Sequence, residues 1–415
     1  MKKYGCIGKK LTHSFSKEIH GKLADYHYEL IELQEDEIAP FFEEKAFAAI
    51  NVTIPYKQTV IPYLDWVSPI ASRIGAVNTV VNKDGKLYGY NTDYHGMKAL
   101  IHRVGVCLEG KKVLVLGTGG TSKTARVLAQ DLGADQIFTV SRKSSREHIT
   151  YEQALAHHTD AQIIINTTPA GMYPDCGSRP MDIRTFSQLE GVIDVVYNPL
   201  RTNLVLDARE MGVKAEGGLY MLVMQAVVAV EKFLDTSIDQ EAADRVYASI
   251  CGAKENIVLT GMPGSGKSTV GKLLDLEGFA FLDTDEEVET RCGCTIRELM
   301  DAKGETCFRD LETEVIREAS SQSGRIISVG GGAVLREENV RCLRQNGRLF
   351  FIDADVRRLQ ATHSRPLADT LEKLERLYKE RIDIYRSTAD VTVPDLAQAD
   401  AEAAYILEKR KELIR

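Results

Sequence analysis

The sequence has no apolar run long enough to cross a bilayer, no low-complexity segment and no repeat with a period of 20–50 residues. Its most apolar stretch, GLYMLVMQAVVAVEKFL at 218–234, is short and contains Gln225 and Glu231, which favours a buried helix. The first residues, MKKYGCIGKK, carry lysines without an apolar run after them, so we expect no signal peptide. These absences exclude membrane-spanning and solenoid classes and leave a soluble globular protein.

An excess of positive charge is also absent. With 60 acidic and 52 basic side chains, the net charge of −8 argues against a nucleic-acid-binding surface over the whole molecule. The eight cysteines are scattered, and Cys292 and Cys294 in RCGCT have no further metal ligands at suitable spacing. We therefore expect free thiols, a cytoplasmic location, and small-molecule substrates rather than nucleic acid or membrane as partners.

The 415 residues instead show strands alternating with helices, in a pattern that changes along the chain. Up to about Asn91 the pattern predicts mixed α/β structure, with a hairpin turning at 84–85. From about Lys111 apolar strands alternate with helices, which predicts a parallel sheet covered on both faces. The short polar stretch CGAKE at 251–255 is predicted to be a linker, and a new α/β pattern begins at Asn256.

The new pattern begins with a glycine-rich loop between an apolar strand and a helix. Its sequence, GMPGSGKS, fits G-x-x-x-x-G-K-[ST] in full. Such a loop wraps phosphate oxygens with backbone N–H groups, while the lysine faces the β/γ-phosphates and the serine ligates Mg²⁺. We predict nucleotide contacts along the whole loop: Gly261, Gly264, Ser265, Gly266, Lys267, Ser268 and Thr269.

Two further segments of this half contain candidate site residues. FAFLDTDEEVE ends a predicted strand with Asp283 and Asp285, and residues two apart in a strand point to the same face. We expect one of these carboxylates to belong to the Mg²⁺ shell and one to meet a substrate hydroxyl. A solvated acidic turn is the alternative, favoured for Glu286 and Glu287. The glycines at 330–332 follow a strand, which indicates close approach to a ligand.

In their order and spacing these motifs, with FRDLE, SRPLAD and KERIDIY, resemble shikimate kinase over essentially all of the second pattern. The resemblance implies catalytic roles for Lys267 and Asp285, a Mg²⁺ site at Ser268 and Asp283, and an Arg365 that closes over ATP. It also implies a shikimate site in which arginine forks match a carboxylate. The implied substrate contacts are Asp285, Arg309, Arg381, Gly330, Gly331 and Gly332.

An earlier glycine loop, VLVLGTGGTS, also follows a strand and opens a helix. Gly117 and Gly119 fit the start of a dinucleotide-binding fingerprint, and Ser122 stands at its third glycine position. An NAD site commonly has an acidic residue at the end of the next strand, whereas hydrogen-bonding and basic groups favour the 2′-phosphate of NADP. This strand ends in such groups, although a solvated strand end is the alternative for the arginine: Ser141, Arg142 and Lys143.

Four polar motifs precede this loop: LTHSFSKEIH, NVTIPYK, GAVNTV and GYNTDYHG. Each alone is typical of a polar turn between strands, but together they suit a small polyhydroxylated acid. Reduction of a ketone by hydride leaves an alkoxide that needs a proton, which a lysine oriented by a carboxylate can donate. The motifs supply hydroxyl, amide, ammonium and carboxylate groups: Ser14, Ser16, Thr53, Asn78, Lys57 and Asp93.

These motifs resemble shikimate dehydrogenase over roughly 1–250, although Ser141 stands where the family often has Asn. The resemblance implies catalysis by Lys57 with Asp93. It implies substrate contacts by Ser14, Ser16, Thr53, Asn78, Asp93, Tyr197 and Gln225. The implied NADP contacts are Gly117, Gly119, Gly120, Thr121, Ser141, Arg142, Lys143, Thr167, Met172 and Gly218.

Together the two resemblances imply a bifunctional enzyme that reduces 3-dehydroshikimate with NADPH and then phosphorylates shikimate with ATP and Mg²⁺. The implied fold is α/β throughout. Its parts are a substrate-binding domain at 1–97 completed by helices at about 218–250, a Rossmann-like NADP domain at 98–217, a linker at 251–255, and a P-loop kinase domain with a central parallel sheet at 256–415.

Two alternatives remain. The first is a quinate/shikimate dehydrogenase that uses NAD and is fused to a kinase, which the basic SRK segment disfavours. The second is a regulatory sensor of shikimate-pathway compounds that keeps these folds without catalysis. The candidate catalytic groups of both halves are all present in the sequence, which disfavours the sensor.

Overall fold

The computed structural model describes residues 3–11, 15–275, 278–359 and 370–414. The chain forms two compact units, Met1–Ile250 and Cys251–Arg415, and each is taken by itself. Within the described ranges, no helix combines the length and apolar character needed to span a membrane.

The first unit begins with a mixed sheet in the order β2-β1-β3-β5-β6-β4. Its parallel pairs are β1 with β2, β1 with β3 and β4 with β6, and the others are antiparallel. The predicted hairpin joins β5 and β6 through Asp84 and Gly85, whose φ values of 52° and 82° suit a two-residue turn. The strands are β1 (Lys3–Gly8), β2 (Tyr28–Glu32), β3 (Phe47–Val52), β4 (Trp66–Val67), β5 (Thr79–Lys83) and β6 (Lys86–Tyr90).

Four helices accompany this sheet: α1 (Ser16–Leu23), α2 (Ile38–Glu44), α3 (Pro69–Ile74) and α4 (Asp93–Val104). The helix α2 ends at Glu44, because Lys45 has a φ of 51° and Phe47 already belongs to β3. A left-handed residue ends an α-helix, because its carbonyl no longer lies along the helix axis.

The second sheet of this unit is parallel throughout, in the order β12-β11-β10-β7-β8-β9. Its central strands are fully buried and apolar, as expected for strands covered by helices on both faces. The strands are β7 (Lys112–Leu116), β8 (Gln136–Ser141), β9 (His148–Thr150), β10 (Ile163–Asn166), β11 (Gly191–Asp194) and β12 (Lys214–Glu216).

The helices that follow are α5 (Gly120–Asp131), α6 (Tyr151–His157), α7 (Asn203–Glu210), α8 (Leu219–Leu234) and α9 (Gln240–Lys254). The apolar α8 packs against α1 and α4, so the chain returns to the part of the unit built on the first sheet. The predicted linker at 251–255 begins where the two units divide, but its first four residues are helical, because α9 continues to Lys254. A glycine such as Gly252 lowers helix stability by only about 1 kcal/mol, which does not stop a helix.

The second unit is built on a parallel sheet in the order β14-β15-β13-β16-β17. Its strands are β13 (Asn256–Thr260), β14 (Ala280–Asp283), β15 (Arg325–Ser328), β16 (Gly347–Asp353) and β17 (Val391–Pro394). Its helices are α10 (Lys267–Asp275), α11 (Thr284–Cys292), α12 (Ile296–Ser321), α13 (Glu337–Asn346), α14 (Leu371–Thr388) and α15 (Ala399–Ile414). The long α12 is interrupted at Gly304, whose φ is 84°. Together the sheets establish the predicted α/β fold class.

Candidate active sites

The two residues predicted to be catalytic in the first unit form an ion pair. The Lys57 ammonium lies 2.6 Å from Asp93 Oδ2, and the side chains are only 14% and 6% exposed. Lys57 lies in the turn after β3, where its carbonyl accepts a hydrogen bond from the Val77 backbone at 2.7 Å. Asp93 is the first residue of α4. The fold therefore brings together a cation and a carboxylate that are 36 residues apart.

Asn78 holds the other oxygen of this carboxylate. Its Nδ2 donates to Asp93 Oδ1 at 2.9 Å and to Gln225 Oε1 at 3.0 Å. Its Oδ1 accepts from the Thr92 backbone N–H at 2.7 Å, just before α4 begins. The predicted residues Asn78, Asp93, Lys57 and Gln225 are thus one connected polar group.

The other predicted substrate residues lie on neighbouring elements. The half-buried Thr53 is fixed by its backbone N–H, which donates to the Ile7 carbonyl at 2.9 Å. The Tyr197 ring lies 5.2 Å from the ring of Phe15, which directly precedes α1 and its first residue Ser16. Burial raises the pKa of Tyr197, which keeps its hydroxyl protonated. Ser14 lies outside the described residues.

The first glycine loop has the backbone geometry of a dinucleotide-binding turn. Gly117 has a φ of 106°, and a Cβ there would lie 2.8 Å from the Thr167 hydroxyl. That hydroxyl donates to the Leu116 carbonyl at 2.6 Å, which joins the ends of β7 and β10. Ser122, at the third glycine position, donates its hydroxyl to the Gly117 carbonyl at 2.7 Å. The serine therefore closes the turn with a side-chain hydrogen bond.

This loop lies beside the lysine of the Lys57–Asp93 ion pair. A Cβ built on Gly120, the first residue of α5, would lie 3.9 Å from Lys57 Cδ. In the described ranges no other atom comes within 4 Å of a Cβ built on Gly119, so the turn is open there. Thr121, which follows Gly120 in α5, is only half-buried, so the N-terminus of this helix has an accessible face.

The remaining predicted cofactor residues lie around the ends of the parallel strands. The Ser141 hydroxyl bonds the Lys143 carbonyl and accepts from the Lys143 backbone N–H at 3.3 Å, which shapes the turn after β8. Arg142 and Lys143 are exposed there. Met172 is 44% exposed. Gly218 is the N-cap residue of α8, and a Cβ there would collide with the backbone of Val195.

The second glycine loop has three glycines in the left-handed region or near it. The φ values of Gly261, Gly264 and Gly266 are 148°, 83° and 87°, which L-residues with side chains rarely adopt. The Lys267 ammonium donates to the carbonyls of Gly261 and Met262 at 3.0 and 2.9 Å. The lysine thus folds back along the loop and is 8% exposed.

After the loop, Ser268 and Asp283 meet. The Ser268 hydroxyl donates to Asp283 Oδ2 at 2.6 Å, and Oδ1 accepts from the Asp285 backbone N–H at 3.0 Å. Our expectation that both aspartates lie on one strand is wrong, because β14 ends at Asp283 and Asp285 is in the first turn of α11. Asp283 caps that helix, as aspartates do at helix N-termini. Both carboxylates nevertheless line the same cavity.

This cavity has a volume of about 470 Å³ and opens beside the phosphate loop. It contains nearly all the kinase-side residues that the sequence predicted, and Arg365 lies outside the described residues. The predicted residues that line it are Gly264, Ser265, Gly266, Lys267, Ser268, Thr269, Asp283, Asp285, Arg309, Gly330, Gly331, Gly332 and Arg381.

A buried acid in this cavity was not among the predicted site residues. Glu312 is fully buried and accepts from Arg309 Nη1 at 2.8 Å. Burial raises the pKa of Glu312, against the lowering effect of Arg309. Glu305 pairs with Arg309 from the other side at 3.2 Å. The FRDLE motif could have indicated this residue, since positions three apart on a helix lie on one face.

The residues at 330–332 are glycines because neighbouring side chains leave no room for a Cβ there. A Cβ on Gly330 would lie 2.6 Å from Asp285 Oδ1, and one on Gly332 would collide with the Arg309 guanidinium. The Gly331 carbonyl accepts from Arg381 Nη1 at 3.2 Å and from the Tyr385 hydroxyl. The run therefore lets two arginines and a carboxylate converge, as the sequence indicated.

Comparison with known proteins identifies both halves. The NADP(+)-dependent shikimate dehydrogenase of Clostridium beijerinckii is 36% identical over 265 residues, which cover 60% of this chain and 97% of that protein. The chain belongs to the shikimate dehydrogenase family. Residues 6–80 match the family model for the shikimate dehydrogenase substrate binding domain, and residues 263–411 match that for shikimate kinase. The chain therefore joins a shikimate dehydrogenase to a shikimate kinase, which confirms the predicted bifunctional enzyme.

Solved structures agree with the dehydrogenase assignment. Shikimate dehydrogenase 1 of Peptoclostridium difficile has a TM-score of 0.56 and 35% identity, covering 60% of this chain and 98% of that chain. The shikimate 5-dehydrogenase of Thermus thermophilus, in complex with NADP(H) and shikimate, has a TM-score of 0.54 and 29% identity. It covers 59% of this chain and 100% of that chain.

Proposed function

We propose that the dehydrogenase reduces 3-dehydroshikimate to shikimate with NADPH, and that the kinase transfers the γ-phosphoryl group of ATP to the 3-hydroxyl of that product. The observation that carries this proposal is the Lys57–Asp93 ion pair, with an Nζ–Oδ2 distance of 2.6 Å, beside an open dinucleotide turn. A proton donor, its orienting carboxylate and a nucleotide loop are the parts that ketone reduction requires.

In the reduction, bound NADPH supplies the hydride to the substrate carbonyl carbon. Lys57 donates a proton to the carbonyl oxygen as negative charge develops there, and Asp93 holds the ammonium toward it. Asn78 fixes the carboxylate from the opposite side. We assign the remaining substrate contacts, which the family resemblance implies, to Ser16, Thr53, Tyr197 and Gln225, and to Ser14, which lies outside the described residues.

NADP fits the cofactor turn better than NAD does. The exposed Arg142 and Lys143 follow β8, where an acidic side chain would otherwise meet the ribose hydroxyls. The hydrogen bonds of Ser141 to Lys143 shape this turn without neutralising either cation. We therefore assign the 2′-phosphate to these two side chains. Equal kcat/KM for NAD and NADP would contradict this assignment and favour the NAD-dependent alternative.

In the kinase, the residues present suit ATP with Mg²⁺. The Ser268 hydroxyl and the Asp283 carboxylate are oxygen donors, and Mg²⁺ is typically held by one or two such protein groups. When bound, Mg²⁺ neutralises charge on the phosphates. Lys267 would leave its carbonyl partners to meet the transferred phosphoryl group, with Arg365 of SRPLAD closing over ATP.

The acceptor site lies across the same cavity. Asp285 faces the glycine run and would orient the shikimate hydroxyl and accept its proton. Arg309 and Arg381 would hold the substrate carboxylate, because a guanidinium matches it in charge and shape. Glu312 keeps Arg309 in place through their 2.8 Å ion pair.

The purified chain with 3-dehydroshikimate, NADPH and Mg²⁺–ATP should consume both cosubstrates and form shikimate 3-phosphate, detected by mass spectrometry. Without ATP the reaction should stop at shikimate. Without NADPH no phosphorylated product should form until shikimate is added. No consumption of either cosubstrate by a folded sample would contradict the proposal and favour a non-catalytic sensor.

A further inference from the structure

A chain of hydrogen bonds leads from the catalytic carboxylate into the first sheet. Asn78 Nδ2 donates to Asp93 at 2.9 Å, and Asn78 Oδ1 accepts from the Thr79 hydroxyl at 3.2 Å. That hydroxyl accepts from Asn51 Nδ2 at 3.1 Å. Asn51 Oδ1 in turn accepts from the Tyr28 hydroxyl at 2.7 Å. The chain therefore begins at Tyr28 and ends at the carboxylate that bonds the catalytic lysine.

Tyr28 reaches Asn51 across an intervening strand. Tyr28 on β2 pairs with Tyr4 of β1, whereas Asn51 on β3 pairs with Cys6 of β1. Tyr4 and Cys6 are two residues apart and so point to the same face of the sheet. The Tyr28 side chain interacts with the Cys6 thiol between the two outer strands, and its hydroxyl meets the Asn51 amide.

The Tyr28 ring is held in place by other aromatic rings. It is 2% exposed and stacks on the His20 ring, with centroids 4.0 Å apart and planes at 17°. His20 Nδ1 is hydrogen-bonded to the Tyr26 hydroxyl at 2.6 Å. Burial lowers the pKa of His20 to about 3, so this cluster carries no imidazolium charge at neutral pH. The Tyr28 hydroxyl thus has a fixed direction.

The direction matters because an amide has a donor end and an acceptor end. With Oδ1 held by Tyr28, Asn51 turns Nδ2 toward Thr79 and toward the Asn78 carbonyl, which it meets at 3.3 Å. If the Asn51 amide were flipped, its Oδ1 would face the Asn78 carbonyl oxygen, and neither atom can donate a hydrogen bond. The Tyr28 hydroxyl and the His20 ring both bond the Asn51 side chain, so loss of the hydroxyl weakens the selection of the correct orientation.

We propose that Tyr28 is a positioning residue for the dehydrogenase reaction. It fixes the Asn51 amide and, through it, the side chain of Asn78, which holds Asp93 toward the Lys57 ammonium. This inference rests on the proposed catalytic roles of Lys57 and Asp93. It concerns the rate of proton donation and not the binding of the cofactor.

The first test is Tyr28→Phe, which keeps the ring and removes the hydroxyl. We expect kcat for shikimate oxidation to fall about fivefold, since a hydrogen bond contributes about 1 kcal/mol and about 1.4 kcal/mol is tenfold in rate. The KM for NADP should not change. Tyr4→Phe is the matched control: Tyr4 stacks in the same cluster, 4.5 Å from the Tyr26 ring, and in the described ranges its hydroxyl is not part of this hydrogen-bond chain. Its kcat should equal that of the wild type.

The second test is a double-mutant cycle with Thr79→Val, which cuts the same chain one step closer to the site. If both residues act in one chain that reaches Asn78, the double variant should be no slower than the slower single variant. An unchanged kcat in Tyr28→Phe, or additive losses in the cycle, would overturn the inference. A wild type that does not oxidise shikimate, or a fully active Lys57→Ala variant, would instead contradict the proposed function.

Discussion

Helix α4 packs tightly against α8 at Gly96, and we predict that Gly96→Ala damages the proposed substrate site of the dehydrogenase. A Cβ there would lie 2.5 Å from the Met221 carbonyl oxygen and 3.1 Å from both N and Cβ of Gln225. Ordinary van der Waals contact begins near 3.4 Å, so the two helices must separate by up to about 1 Å.

That displacement acts on Gln225, which we assign to the substrate site. Gln225 accepts from Asn78 at 3.0 Å, and a shift of about 1 Å takes this pair beyond hydrogen-bonding distance. Overpacking of this kind costs about 1–3 kcal/mol in the free energy of unfolding. We expect the dehydrogenase unit to lose about 2 kcal/mol, which corresponds to a fall of about 4–8 °C in its melting temperature. The KM for shikimate should rise about tenfold, because the loss of a contact of about 1.4 kcal/mol is tenfold in affinity.

The assay is thermal inactivation of the dehydrogenase together with its steady-state kinetics. Gly21→Ala is the matched control, because Gly21 also lies in a helix and, among the described residues, no atom lies within 4 Å of a Cβ built there. That variant should be as stable as the wild type or more stable by about 1 kcal/mol. A Gly96→Ala enzyme with an unchanged inactivation temperature and an unchanged KM for shikimate would refute the close-contact argument.

Three further predictions concern the other parts of the chain. Gly332→Ala places a methyl group against Arg309, so the KM of the kinase for shikimate should rise at least tenfold while dehydrogenase kinetics stay the same. The same kinase KM in the variant and the wild type would contradict this prediction. Arg142→Ala removes one cation from the NADP turn, so kcat/KM for NADP should fall about tenfold and that for NAD should not. Equal losses in kcat/KM for NADP and NAD would contradict a contact between Arg142 and the 2′-phosphate. Burial raises the pKa of Asp194 to about 6. Between about pH 4 and 6 the folded chain therefore holds a proton there that the unfolded chain has released, and this stabilising effect is lost as the pH rises through 6. Asp194→Asn should flatten that part of the plot of unfolding free energy against pH, and an unchanged slope would contradict the shift.

Local chemistry explains what the sequence predicted well. Glycine loops between a strand and a helix are constrained within a few residues, so both nucleotide turns could be located from their letters. The pairing of Lys57 with Asp93 followed from the chemistry of ketone reduction, and the fold then placed them 2.6 Å apart. The α/β class followed from the alternation of apolar strands with helices.

The wrong predictions arose where a simple sequence pattern did not account for another interaction. Asp285 was assigned to a strand by alternation, but the side chain of Asp283 caps a helix that begins at Thr284. The stretch 251–254 contains small and polar residues typical of linkers, yet α9 extends through it. The edge strand β12 (Lys214–Glu216) could not be recognised from the sequence, because two of its three residues are charged and it has no apolar run.

Side-chain networks could not be predicted because they depend on register between distant strands. Tyr28 and Asn51 are 23 residues apart and meet only because β1 lies between their strands in this particular register. Glu312 shares a helix face with Arg309, but its burial depends on the glycine run of a different segment.

We propose that one chain holds two complete active sites that work independently, and paired lysine variants can separate them. Lys57→Ala should abolish NADP-dependent oxidation of shikimate and leave ATP-dependent phosphorylation at the wild-type rate, because Lys57 lies in the first unit only. Lys267→Ala should do the reverse. Circular dichroism should show both variants folded. Loss of both activities in either folded variant would contradict the two-site account, as would full retention of the activity that each lysine is assigned to serve.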